Sequence, residues 1–202
     1  MFNKNINNHW ALFRVLSYSF LIVGLIVSGL IFVFAYRQNN ITALSLRDKL
    51  LEVDKNNGNV ELALTELREF TYWHMNANLS GGASNIYPPI QLKYTYERLV
   101  ATEKQHVINA QKQVTDDANA HCAIAVPQNG PGTNRIPCIT QYIQDHPVKE
   151  QPIRDDLYKF DFASPRWSPD RAGWSLVITL IFGLLLASRL ILDEWLKHSL
   201  AD

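Results

Sequence analysis

Residues 15–36 read VLSYSFLIVGLIVSGLIFVFAY, 22 positions without a charge. Roughly 20 apolar residues in a helix are what crossing the hydrocarbon core of a bilayer requires, so this stretch reads as a transmembrane helix. A second run at 172–188, AGWSLVITLIFGLLLAS, adds 17 uncharged positions and continues beyond Arg189 through Leu190, Ile191 and Leu192. Two such runs in a chain of 202 residues exclude a simple soluble protein. The charges balance, 19 Lys and Arg against 19 Asp and Glu, so there is no cationic excess to neutralise phosphates and no nucleic-acid partner is expected. The first run is longer than the roughly 7–15 apolar residues of a signal peptide. No small-x-small site follows it, since Phe34-Ala35-Tyr36-Arg37 is bulky, so an uncleaved anchor is expected.

Aromatic residues frame both runs. Trp10 precedes the first and Tyr36 closes it; Trp174 and Trp195 frame the second, with Trp167 just upstream. Tryptophan and tyrosine collect at bilayer interfaces because an amphipathic ring suits the headgroup layer. Arg189 lies near the far end of the second run, close enough to Asp193 for its long stem to carry the guanidinium to the interface. Small residues recur four apart, Gly24 and Ser28 in the first run and Gly183 and Ala187 in the second, a spacing that lets helix backbones approach closely.

These features divide the chain into a tail (1–14), a first span (15–36), a middle domain (37–171), a second span (172–192) and a short tail (193–202). The middle domain holds 15 basic and 16 acidic residues, and the arginines beside the spans leave the positive-inside rule nearly silent. Cysteine decides the orientation. Cys122 and Cys138, the only two, bracket a stretch rich in Pro and Gly. One disulfide in an oxidising compartment is the natural reading, which puts 37–171 outside the cytoplasm and both termini inside, in the plasma membrane.

Within the middle domain, residues 41–55 (ITALSLRDKLLEVDK) set Leu44, Leu51 and Val53 among charges, as in an amphipathic helix. Asn39-Asn40 is either a joint before that helix or part of an unbroken stalk growing out of the first span. Asn56-Asn57-Gly58 signals a break, and a second helix is expected from Asn59 as N-cap to a glycine stop at Ser80-Gly81-Gly82, with Val60, Leu64, Leu67, Thr71 and His74 on one face. Pro88-Pro89 opens a third, from about 89 to 118, where Leu92, Tyr96, Leu99, His106, Ala110 and Val114 trace a near-heptad, coiled-coil-like seam broken by Glu103. The second and third helices are expected to form an antiparallel hairpin. After it come the disulfide loop, a short helix from Ile139 to Asp145, and an irregular stretch to residue 167. Ser168-Pro169 reads as the cap and first residue of the second span. The expected fold is mainly α: two transmembrane helices bracketing an extracytoplasmic helical hairpin plus an irregular, disulfide-closed segment.

Chemistry-bearing motifs are few. No phosphate loop, dinucleotide fingerprint, nucleophile elbow, H-E-x-x-H or C-x-x-C occurs, so neither an enzyme nor a bound cofactor is expected. Glu103-Lys104-Gln105-His106 puts a carboxylate and an imidazole on one helix face. With His74 from the neighbouring helix it forms the one candidate metal set. His121 beside Cys122 would suggest a nucleophile pair were the thiol free, and Asp155, Asp156 and Asp161 form an acidic patch. Tyr72, Trp73, Tyr87, Tyr94, Tyr96, Tyr142 and Tyr158 exceed what a helix pair needs as packing anchors, and exposed aromatics are favoured at binding surfaces.

The runs YPPIQLKYTYERL (87–99) and FDFASPRWSPDRAGW (160–174) resemble uncharacterised two-span membrane proteins of small-genome candidate-phyla bacteria of the Saccharibacteria type. That resemblance implies the two-span architecture and no activity. The layout also looks like the sensing part of chemoreceptors and sensor kinases, but only about ten residues follow the second span, so a partner would have to carry any signal. The expectation is a membrane-anchored interaction or scaffold module of the cell envelope that docks a protein partner or a second copy. The alternative is a ligand-sensing ectodomain.

Overall fold

The computed structural model describes residues 17–80, 87–126 and 134–199, with side chains through Trp195. It is mainly helical. Helix α1 runs from Tyr18 to Lys55, α2 from Val60 to Trp73, α3 from Lys93 to Ala125, α4 from Ile136 to Asp145 and α5 from Arg171 to Ser199. A 3-10 turn spans Asp155–Leu157, and two short strands, β1 (Ile90–Gln91) and β2 (Lys159–Phe160), pair antiparallel with Ile90 opposite Phe160. Two helices, α1 and α5, are long and apolar enough to cross a membrane. The described residues fall into two compact units, one within residues 1–53, 58–89 and 161–202, the other within residues 54–57 and 90–160.

In the first unit, α1 passes through Asn39-Asn40 without a break over its 38 residues. Its buried positions are Leu21, Ser28, Ala35, Ala43, Leu50 and Asp54. This corrects the register expected for 41–55: Ala43 and Leu50 are fully buried while Leu51 is exposed. The phase is inherited from the apolar half of the same helix and not set locally.

The turn at Asn57, in the left-handed region at φ 53°, reverses the chain. Asn59 caps α2 as expected, its side-chain oxygen accepting from the Leu62 N–H at 3.0 Å, and Ala63, Leu64, Leu67 and Thr71 are buried. Lys49 on α1 pairs with Glu66 on α2 at 2.7 Å.

Helix α2 ends at Trp73, well before the glycines. Beyond it the chain turns at Asn76, in the left-handed region at φ 61°, whose carbonyl accepts from the Asn78 N–H at 2.9 Å, and a non-helical strap follows in which Met75, Ala77 and Leu79 are buried. α1 side chains hold that strap. Asn39 donates to the Met75 carbonyl, Asn40 to those of Asn76 and Asn78, and Arg47 to that of Leu79 at 2.9 Å. These donors satisfy backbone that a longer helix would have satisfied internally.

In the second unit, β1 pre-empts the expected start of α3 at Pro89. Ile90 and Gln91 join the ladder, and Leu92 donates to the Tyr158 carbonyl at 2.9 Å before the helix begins at Lys93. α3 then continues to Ala125, past Cys122. The disulfide Cys122–Cys138 is formed, with Cα atoms 6.0 Å apart, and α3 and α4 pack together around it.

Candidate functional site

The faces that α1 and α5 present to each other are built from small residues and rings. A Cβ on Gly24 would lie 2.6 Å from the Phe182 ring, so glycine here makes the notch that receives Phe182. Phe20 meets the same ring edge-on at 6.0 Å, Leu25 approaches Gly183, and Ser28 is buried with its hydroxyl donating to the Leu25 carbonyl. Ala187 is exposed. At the end near residue 18, Arg189 lies over the Tyr18 ring at 4.1 Å, and the Tyr18 hydroxyl donates to Asp193. The guanidinium therefore crosses to the other helix, and its Nη1 is buried without a hydrogen-bond partner among the described residues.

At the opposite end, toward residues 37–170, several segments meet. Met75 is wedged against Ala35 and Ala172, with Phe32 and Leu176 packed around it. Its N–H donates to the buried Ser168 hydroxyl at 2.9 Å. The cap of α5 is Asp170, not Ser168: its Oδ1 accepts from the Gly173 N–H at 2.9 Å, and its Oδ2 accepts from Asn39 at 2.6 Å. Burial pushes the Asp170 carboxyl up. The Gly173 N–H outweighs that, together with Asn39, Ser168 and the charge of His74, and holds the carboxyl below its ordinary value. Gly173 is required by close approach, because a Cβ there would stand 1.7 Å from the Ser168 carbonyl oxygen.

Four aromatic residues lie at this same end. Trp167 meets Trp174 edge-on at 6.1 Å and donates to the Gly173 carbonyl. Tyr72 and Trp73 cross at 88°. Of the interfacial residues read from sequence, Tyr36, Trp167, Trp174 and Trp195 are exposed and Arg189 is half-buried; Trp10 lies outside the described residues.

In the second unit the main polar node is Asp54, at 1% exposure. Its Oδ2 accepts from the Tyr94 N–H at 3.0 Å. Its Oδ1 accepts from the Thr95 hydroxyl and from Arg98, each at 2.7 Å, while Arg98 also donates to the Asp54 carbonyl. The carboxylate supplies the N-terminal acceptor that Leu92, the residue at the cap position of α3, lacks. A sequence scan for adjacent caps misses it because the acceptor lies about 40 residues upstream, on another helix.

The metal reading does not assemble. Among the described residues no three His, Cys, Asp or Glu are grouped to hold an ion. Glu103 accepts from the Gln151 N–H at 2.8 Å, His106 is exposed, and His74 belongs to the other unit, stacked on Phe70. The disulfide occupies the Cys122 thiol. In the acidic patch, a hydrogen bond from Lys159 holds Asp155 below its ordinary value and Arg154 does the same for Asp156. Asp161 is engaged by Tyr87.

Compared with known families, curated proteins and solved structures, the chain matches none.

The seam of α3 has few buried positions. Within the helix only Ala118 and Cys122 are buried. Leu92 just before it is buried, whereas Tyr96 and Ile108 are exposed and His106 faces solvent. An open groove of about 480 Å³ runs between Tyr96, Val100 and the segment Glu150–Ile153.

Proposed function

We propose that this chain is a membrane-anchored interaction module: α1 and α5 span the plasma membrane with both termini in the cytoplasm, and residues 37–171 present a helical, extracytoplasmic docking domain to another envelope protein or to a second copy. The exposed apolar side chains of the two long helices support the bilayer setting. Phe34, Leu30 and Leu184 are 73%, 66% and 68% exposed, and a continuous apolar surface of that kind needs lipid or a partner to cover it. The disulfide supports the orientation. An antiparallel arrangement of α2 with α3, and membership in the candidate-phyla two-span family carried by residues 87–99 and 160–174, belong to the same proposal.

The observation that carries the docking role is α3. It has 33 residues, of which two are buried, and it holds Ile108 at 59% exposure and Ile124 at 84%. A helix that long, with so little covered, supports docking of a partner along it. The test is a photo-crosslinking residue at Ile108 in intact membranes, with Ala118 as the covered control. A discrete adduct from Ile108 alone is expected. Recovery of uncrosslinked monomer from both would overturn the docking role.

The second reading is ligand sensing relayed laterally by a partner. It draws on α1, an unbroken helix from the first apolar run to Asp54. A ligand-dependent change in crosslinking between cysteines at Gly24 and Phe182 would favour sensing over static docking.

A further inference from the structure

Tyr72 and Trp73 end α2, and two residues later Met75 is wedged between α1 and α5. Asn76 donates to the Tyr36 carbonyl at 2.9 Å, where the first apolar run ends. The two rings therefore sit at the level where both apolar helices give way to the polar domain. They are nevertheless 66% and 59% exposed.

With Pro165, Trp167 and Pro169 they line an open groove of about 330 Å³. Trp167 continues the surface to Trp174 in the first turn of α5. Arg37, Arg166 and Arg171 are exposed around this level, and none forms an ion pair among the described residues.

We propose that this patch is a third contact with the bilayer: the α2 end beds Tyr72 and Trp73 in the phospholipid headgroup layer on the side of residues 37–170, the groove takes the glycerol and upper acyl region, and the three arginines take lipid phosphates. Amphipathic rings are stable at that depth, and guanidinium matches phosphate through paired donors. Lipid is the occupant because the patch is continuous with the ends of the apolar helices, and because exposed arginines without acidic partners complement an anionic headgroup.

The inference rests on the two-span reading, and the test separates the two. The full-length chain is reconstituted in phosphatidylcholine–phosphatidylglycerol vesicles in two single-tryptophan forms, one keeping Trp73 and one keeping Trp174, the others replaced by Phe. Each is quenched with a nitroxide lipid labelled near the headgroup and with aqueous iodide. The expected result is lipid quenching of Trp73 comparable to that of Trp174, with iodide quenching reduced several-fold relative to free tryptophan. If Trp73 answers to iodide alone while Trp174 answers to lipid, the third contact is wrong and the spans stand. If neither answers to lipid, the two-span reading fails and the third contact fails with it. Shielding of Trp73 from both quenchers that vanishes on dilution of protein into lipid assigns the patch to a second copy and overturns the proposal. Should the multiple replacements not fold, the wild-type chain against Trp73→Phe gives the same readout: a shallow-quenched component is lost in the variant if the proposal holds, and unchanged if it does not.

Discussion

Asp54→Ala is the sharpest test of the second unit. The wild-type carboxylate is 1% exposed and receives three donors, the Tyr94 N–H, the Thr95 hydroxyl and Arg98. Removing one partner of a buried ion pair costs about 3–5 kcal/mol, because the other is left uncompensated. Arg98 is 39% exposed and water can recover part of its hydration, which moves the expectation to about 3 kcal/mol. Amide hydrogen exchange in the first turn of α3 reads that loss directly, since opening by about 3 kcal/mol less speeds exchange roughly 100-fold where local opening governs it. Asp54→Asn keeps an acceptor and loses the charge, so it should fall between. Exchange of the Tyr94 amide, which Asp54 accepts, and of the Tyr96 amide, which closes the first turn onto the Leu92 carbonyl, within threefold of wild type in Asp54→Ala would refute the claim that this carboxylate caps α3.

Replacing Cys138 with Ser opens the loop between residues 122 and 138 and should cost the domain about 3 kcal/mol, read as earlier thermal unfolding; thiol labelling of wild type only after reduction is the companion observation. Gly173→Ala puts a Cβ 1.7 Å from the Ser168 oxygen, and should cost about 3 kcal/mol or more, at the top of the usual overpacking range, measured by denaturation in detergent. Gly24→Leu fills the Phe182 notch and should lower disulfide crosslinking between cysteines placed at Leu25 and Gly183, whereas Gly29→Leu, with nothing within 4 Å of its Cβ, should not. Asp170 has a folded pKa below its unfolded value. Its stabilisation is therefore present above the ordinary carboxylate range and is lost as pH falls through the folded pKa, and Asp170→Asn should flatten that acid limb of a stability–pH profile.

The apolar runs, the Asn59 cap and the cysteine pair were all legible, because each is a local signal: length, a single side chain, a count. What was not legible depended on partners distant in sequence. α2 stops at Trp73 because Asn39, Asn40 and Arg47 receive its continuation. The buried face of 41–55 was displaced by one residue because the helix takes its phase from its apolar half, and a reading confined to that window weighed leucines over alanine. α3 lost its expected first turn to a two-residue ladder with Lys159 and Phe160, which no propensity announces. The candidate metal residues shared a plausible spacing, but Glu103 is claimed by the Gln151 backbone.

Helix α1 has a mechanical consequence. Leu21, Phe32, Ala43 and Asp54 lie on its covered side, and their eleven-residue steps give about 3.67 residues per turn, close to the natural winding of a straight helix. The stripe therefore hardly precesses along a shaft of roughly 57 Å. A single residue inserted at Asn39-Asn40 would turn everything beyond it by about 100°, swinging Leu50 off its contacts, while eleven inserted residues would restore its angle but carry it about 16 Å along the axis. With no break between Tyr18 and Lys55, the helix offers no swivel at which one half could turn independently of the other.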